Sequence, residues 1–161
     1  MLDFSKIQAI LSDFDGVWTD NKVHTDNYGN ETVVCNKYDS SGLPLLANYG
    51  IPIFIISQET SLCVAERLKK LNLISILSCD DKASAVRTLL ADHGLDANST
   101  LFVGNDINDI PAFNEVKYSA CPLDSHPSIL GMSNYISPKP GGQGVIRDIV
   151  DRITLVRSKL A

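Results

Sequence analysis

The sequence predicts an α/β protein, a three-layer sandwich of helices around a parallel central sheet, with one short β-hairpin flap and no separate cap domain. Three observations carry that prediction. Short apolar runs alternate with longer amphipathic ones, the pattern of strands joined by crossover helices. Ile51-Pro52-Ile53-Phe54-Ile55-Ile56 is too uniformly apolar to face water on either side, which suits a strand covered by helices on both faces. No internal repeat, low-complexity tract or linker interrupts the 161 residues, so 1–161 reads as one domain.

The elements follow in order. Ile7 to Phe14 (IQAILSDF) is a buried first strand. Two β-leaning runs flank Asn27-Tyr28-Gly29-Asn30, whose Gly and Asn suit a turn, so the stretch of about 22–37 is a hairpin and the only sizeable insertion. Gly42 to Tyr49 is helical, with Pro44 tolerable in a first turn. After the strand Ile51 to Ile56, Thr60 to Leu71 forms a helix with Leu62, Ala65, Leu68 and Leu71 on one face. Ile74 to Leu77 is a short strand. Lys82 to His93 is a helix that Gly94 stops, with Ala85, Leu89 and Leu90 inward. Thr100 to Gly104 is a strand, Asp109 to Asn114 a short helix and Tyr118 to Cys121 another strand. The loop Ser137 to Gly144 leads into a last helix from Val145 to about Lys159.

Composition narrows the function class. With 44% hydrophobic and 20% charged residues the chain has the balance of an ordinary soluble domain, and no apolar run approaches a membrane span. The start MLDFSKIQAILSDFD lacks the basic residues and cleavage site of a signal peptide, so the cytoplasm is the expected compartment. Cys35, Cys63, Cys79 and Cys121 show no CxxC spacing and read as reduced, half-buried residues. A net charge of −5 without a basic cluster argues against nucleic acid as a partner.

The strongest chemical signal is Asp13-Phe14-Asp15-Gly16-Val17-Trp18-Thr19-Asp20, directly after the first strand. Carboxylates at i and i+2 at a strand's carboxyl end lie in the crevice where open α/β sheets bind ligands. Gly16 lets the chain turn sharply away. Such a pair can divide labour, one group attacking and the other handling a proton. A lone DxD is as well explained by a polar turn left in water; DxDGVxTD after a buried strand favours chemistry. Ser57, at the end of the second long strand, suits either a helix N-cap or a phosphate donor. Lys82 opens a helix, and Gly104-Asn105-Asp106-Ile107-Asn108-Asp109 follows another apolar strand. Trp18 and Tyr28 read as packing residues, and His24, His93 and His126 are scattered.

DFDGVWTD resembles motif one of the haloacid dehalogenase superfamily, and Ser57, Lys82 and the 104–109 stretch fall in the order of its remaining motifs. The resemblance implies that Asp13 is the nucleophile and a magnesium ligand. It implies that Asp15 is the general acid/base and lends its main-chain carbonyl to the metal. Ser57 and the Gly16 region would hold phosphoryl oxygens, and Lys82 would pair with nucleophile and phosphate. Where relatives usually show GDxxxD or GDDxxD, this chain has Asn105 in the first acidic position. One negative charge is thereby lost and weaker magnesium binding is expected, with either Asn105 or Asp106 as ligand. Asp109 would be a ligand or an acceptor from metal-bound water.

The tail Ser137 to Asp148 (SPKPGGQGVIRD) is similar to that of the small capless phosphatases acting on 3-deoxy-D-manno-octulosonate phosphate and related acidic sugars. Those relatives insert a hairpin after motif one and resemble this chain from end to end. They imply a homotetramer whose hairpins build a central barrel and whose tails cover a neighbour's site. Gln143 stands where their GGRGAxRE has its first Arg, so its contacts to phosphate or carboxylate would be weaker. Ser57-Gln58-Glu59-Thr60 and Lys70 resemble the branch acting on nine-carbon ulosonate phosphates, and the phosphatase-like domains fused to sialic-acid cytidylyltransferases. Glu59 would then accept from a polyol, and Lys70 of a neighbouring copy would meet the substrate carboxylate; in isolation both also read as helix-surface charges. Asp39-Ser40-Ser41-Gly42 either shapes the pocket or caps the following helix. The expectation is a magnesium-dependent phosphatase for an eight- or nine-carbon ulosonate phosphate, working through an aspartyl phosphate. The alternative is a non-catalytic oligomerisation or ligand-binding module of the same descent.

Overall fold

In the computed structural model, which describes residues 2–160, the chain runs β1 (Ala9–Ser12), β2 (His24–Thr25), β3 (Glu31–Thr32), α1 (Lys37–Ala47), β4 (Ile53–Ile56), α2 (Leu62–Lys70), β5 (Ile74–Ile76), α3 (Lys82–Asp92), β6 (Thr100–Val103), α4 (Ile110–Phe113), β7 (Tyr118–Cys121), α5 (Pro127–Met132), β8 (Tyr135–Ile136) and α6 (Val145–Ser158). Side chains of a strand point alternately to its two faces, and here both faces are apolar. Ile10, Ile53, Ile55, Leu101 and Val103 join one cluster with Leu46 of α1, Val64 and Leu68 of α2, and Ile146, Ile149 and Ile153 of α6. Leu11, Phe54, Ile56 and Phe102 join the other with Val86 and Leu89 of α3, Phe113 of α4 and Ile129 of α5. Two cores on opposite faces of one sheet make the three layers that the uniformly apolar strands predict.

The sheet order is β5-β4-β1-β6-β7-β8, and every neighbouring pair is parallel. From β1 the chain steps outward through β4 to β5, then returns by α3 to β6 on the other side of β1. That reversal opens a crevice at the carboxyl ends of β4, β1 and β6, the place such sheets bind ligands. Asp13, Ser57 and Asn105 stand there because each follows one of those strands within two residues. β2 and β3 pair antiparallel, and a lone bridge between Thr19 and Cys35 closes the base of this hairpin. Its turn is tied by Asp26, whose Oδ1 accepts from Tyr28 N at 2.8 Å and Asn30 N at 2.9 Å. Among the described residues no helix is long and apolar enough to cross a membrane.

Several local expectations change. The helix expected from Gly42 starts at Lys37, because the Asn36 side chain accepts from Tyr38 N at 2.9 Å and caps it earlier. Pro44 therefore lies inside α1, removing one backbone bond. Close packing of Gly42 on α6, where an added Cβ would stand 3.3 Å from Val150, helps hold the helix against that loss. α2 buries Val64 and Leu68, while Leu62 is 75% exposed; a start after Ser61 turns the i, i+4 pair inward instead. In α3, Val86 is fully buried and Leu90 only partly. α5 and β8 were not expected, since six residues beginning with Pro and a two-residue strand carry too little periodicity to register.

Asp39 caps neither its own helix nor the pocket. α6 begins after Gly144, a residue at φ +97° with no side chain to offer, and the wholly buried Asp39 carboxylate accepts from Arg147 N at 3.0 Å instead. Burial pushes the Asp39 carboxyl up to about 6, against the helix N–H groups of Arg147, Ile146 and Gly144 that pull it down. The unfolded chain loses this proton near the ordinary 3.8, the folded chain only near 6, so stability present at low pH is lost as pH rises across that window. Asp39→Asn keeps an acceptor without the charge. The wild type's unfolding free energy minus the variant's is expected to fall by roughly 2–3 kcal/mol across that window in urea melts. A flat difference would contradict the assignment.

Candidate active site

β1 delivers Asp13 by continuing its ladder one residue past the strand, with Asp13 N donating to Val103 O at 2.9 Å. The side chain is buried at 6% exposure. Its Oδ1 accepts from Phe14 N at 2.8 Å and from Lys82 Nζ at 3.0 Å. Lys82 is equally buried although it is the first residue of α3, and its Nζ lies 2.6 Å from Asp109 Oδ1. Burial and the nearby Asp109 charge push the Asp13 carboxyl up to about 7, while Lys82 pulls it down. For Lys82, burial opposes the ammonium, yet Asp13 and Asp109 outweigh it and its pKa is raised. Asp13 and Asp109 thus converge around one cation.

The turn after Asp13 is held from inside. Trp18 N donates to Phe14 O, and Trp18 Nε1 donates to Ser12 Oγ at 3.2 Å, which folds the motif back on β1. Gly16 sits at φ +83°, and a Cβ there would stand 1.9 Å from the Asn105 amide nitrogen. The Gly141–Gly142 loop packs on the other side: Gly142 N donates to Val17 O at 3.0 Å, and a Cβ on Gly141 would lie 2.2 Å from Gly16 O. Asp15 lines the cavity above Asp13, and Thr19 donates to its Oδ1 at 3.0 Å. Burial raises the Asp15 carboxyl, with Thr19 lowering it and Glu59 raising it.

β4 ends in Ser57, whose Oγ accepts from Glu59 N at 3.1 Å and so keeps its O–H free to donate into the cavity it lines. After β6, Asn105 is buried and Asp106 is exposed, its Oδ1 capping Ile107 N at 2.7 Å. The amide atom of Asn105 that faces the site lies 3.1 Å from Asp15 O and 3.2 Å from Asp13 Oδ2. A nitrogen there donates to both. An oxygen there stands at those distances from two others, and neighbouring ligands of an octahedral Mg²⁺, at about 2.1 Å from the metal, lie roughly 3 Å apart. The donor set Asp13 Oδ2, Asp15 O and Asn105 Oδ1 therefore fits a small hard cation. Among the described residues no three His, Cys, Asp or Glu side chains cluster as metal ligands.

Of the residues singled out in the sequence, Asp13, Asp15, Ser57, Glu59, Asn105 and Asp106 line one cavity, with Gly16 beneath and Lys82 behind. Asp109 does not offer an oxygen to a metal: it is wholly buried, Oδ1 faces Lys82, and Oδ2 accepts from Asn105 N at 2.8 Å and Asp106 N at 3.3 Å. Lys70 and Gln143 are exposed and line neither cavity that Asp15 lines; Lys70 stands beside Cys35 and Arg67 in a separate groove. Thr19 and Asn21, in and beside the quoted motif, also belong to the site: Thr19 donates to Asp15 and Asn21 lines the cavity. A second cavity under the hairpin, lined by Glu31, Val33, Ser61 and Val64, shares Asp15, Asn21 and Glu59 with the first.

Comparison with known proteins agrees with this fold. Residues 68–149 match the family described as haloacid dehalogenase-like hydrolase. The Yersinia pestis 3-deoxy-D-manno-octulosonate 8-phosphate phosphatase is 28% identical over 157 residues, 97% of this chain and 84% of that protein. A solved Streptomyces avermitilis structure assigned to the HAD family of hydrolases superposes with a TM-score of 0.90 at 32% identity, covering 94% of this chain and 87% of that one. The Moraxella catarrhalis 3-deoxy-D-manno-octulosonate 8-phosphate phosphatase, solved in complex with magnesium ion, phosphate ion and KDO, has a TM-score of 0.88 at 25% identity, with 98% and 95% coverage.

Proposed function

This chain belongs to the haloacid dehalogenase-like hydrolases, and on that premise we propose that it is a cytoplasmic, magnesium-dependent phosphatase for an eight- or nine-carbon ulosonate phosphate, with Asp13 as nucleophile. The observation that carries the proposal is the convergence on Asp13: Lys82 and Phe14 N on one oxygen, the Asn105 amide on the other. The acidic sugar is suggested by the relatives, which include phosphatases of 3-deoxy-D-manno-octulosonate 8-phosphate.

Magnesium held by Asp13 Oδ2, Asp15 O and Asn105 Oδ1 would offset the repulsion between a carboxylate and a phosphate dianion. Lys82 keeps the Asp13 carboxylate oriented and ionised against its burial. Ser57 Oγ and the backbone around Gly16 hold phosphoryl oxygens while Asp13 attacks phosphorus. Asp15, its carboxyl raised by burial, gives a proton to the departing sugar oxygen and later takes one from the water that opens the aspartyl phosphate. Glu59 faces the cavity under the hairpin, where sugar hydroxyls donate to it. The exposed hairpin pairs with copies of itself in a homotetramer, which brings Lys70 and Gln143 of a neighbouring copy toward the substrate carboxylate.

Asn105 sets the metal requirement. Asn105→Asp restores a charge among the ligands and is expected to lower the magnesium concentration for half-maximal activity by about tenfold; an unchanged requirement would remove Asn105 from the ligand set. The function itself is tested by phosphate release from a panel of eight- and nine-carbon ulosonate phosphates, with magnesium and with chelator. Magnesium-dependent release from at least one member is expected, and binding without release from any would identify a non-catalytic module instead.

A further inference from the structure

We infer that Thr19 is a positioning residue, whose hydroxyl fixes the orientation of the Asp15 carboxyl that passes the proton to the leaving group. The inference rests on the phosphatase reading above. A threonine hydroxyl has one hydrogen and two acceptor sites. Gly16 N and Asn21 N donate to Thr19 Oγ1 at 3.2 and 3.3 Å and fill the acceptor sites. The single hydrogen is left for Asp15 Oδ1 at 3.0 Å. Thr19 is wholly buried and β-branched, so its rotamer is restricted, and its backbone bridges Cys35 at the hairpin base. Asp15 Oδ1 is therefore committed as an acceptor, while Oδ2 is buried and has no hydrogen-bond partner.

Asp15 lines both the cavity with Asp13 and Ser57 and the cavity under the hairpin. The bond that breaks, between phosphorus and the sugar oxygen, belongs where those cavities meet. As Asp13 bonds to phosphorus, the electron pair of the breaking bond stays on the sugar oxygen, which takes the proton from the Asp15 carboxyl. In the second half, water returns a proton to the Asp15 carboxyl as its oxygen bonds phosphorus and the bond to Asp13 breaks.

The test compares kcat/KM for the ulosonate phosphate turned over by the wild type and for 4-nitrophenyl phosphate, whose leaving group departs without a proton. This ratio excludes the later hydrolysis of the aspartyl phosphate, which both esters share. Thr19→Val is expected to lose about 100-fold on the alkyl ester and less than about tenfold on the aryl ester. Thr19→Ser should regain the alkyl activity to within about fivefold of wild type, and Thr19→Cys, a weak donor, should fall between the two. Equal losses on both esters, or none, would overturn the inference and leave Thr19 as a support of the Gly16 turn. If Thr19→Val melts below the assay temperature, the Ser and Cys variants decide on the same criterion, equal ester ratios overturning it. A wild type inactive on every ester would overturn the phosphatase reading first, and this inference with it.

Discussion

Lys82→Met is expected to cost the protein both its stability and its turnover. The ammonium lies 3.0 Å from Asp13 and 2.6 Å from Asp109, all three side chains nearly without exposure. Removing it leaves two carboxylates buried without a cation, a change that typically destabilises by about 3–5 kcal/mol. The raised Asp13 carboxyl would rise further and lose its orienting partner, and phosphate release drops by at least about 100-fold. Lys82→Met with Asp109→Asn separates the effects. The double variant should recover part of the stability in denaturant melts and, with the Asp109 charge no longer raising Asp13, only a small part of the activity. Full activity in Lys82→Met would show that Asp13 does not need this partner.

Gly16→Ala produces the second large effect, through position rather than charge. The residue sits at φ +83°, where a side chain costs roughly 1–2 kcal/mol, and its Cβ would stand 1.9 Å from the Asn105 amide nitrogen. Asn105 must then leave its place beside Asp15 O and Asp13 Oδ2. The expected outcome is a modest fall in melting temperature with about a 100-fold loss of kcat/KM, and a higher magnesium requirement. A variant that loses stability alone would place Asn105 outside the site's chemistry.

Much of this site was legible because its residues follow strands. Asp13, Ser57 and Asn105 each sit at the end of an apolar run, and apolar runs are the clearest signal a buried parallel sheet leaves in a sequence. The role of Asp109 was not legible. Its spacing from Asn105 suits a metal ligand and an anchor for Lys82 equally well, and only three-dimensional contact shows both oxygens spent within the chain. Asp39 was ambiguous for a related reason: it caps a helix 108 residues away, an association no local pattern records. Thr19 was visible in the motif, yet its bonds to Asp15, Gly16 and Asn21 depend on how the turn closes. In α2, Leu68 faces inward as its spacing suggested, while Leu62, in the first turn, stays exposed and Val64 takes the buried place.

The measurement that bears most directly on Asp13 as nucleophile is phosphate release by Asp13→Asn beside the wild type, at saturating magnesium, with acid quenching of the wild type during turnover of a phosphorus-labelled ester. The amide keeps the shape of the side chain and lacks the attacking carboxylate. Loss of at least about a thousandfold in release is expected, together with label on the wild-type peptide that contains Asp13 and none on the variant. Turnover by Asp13→Asn near the wild-type rate, or label on another residue, would contradict Asp13 as the nucleophile.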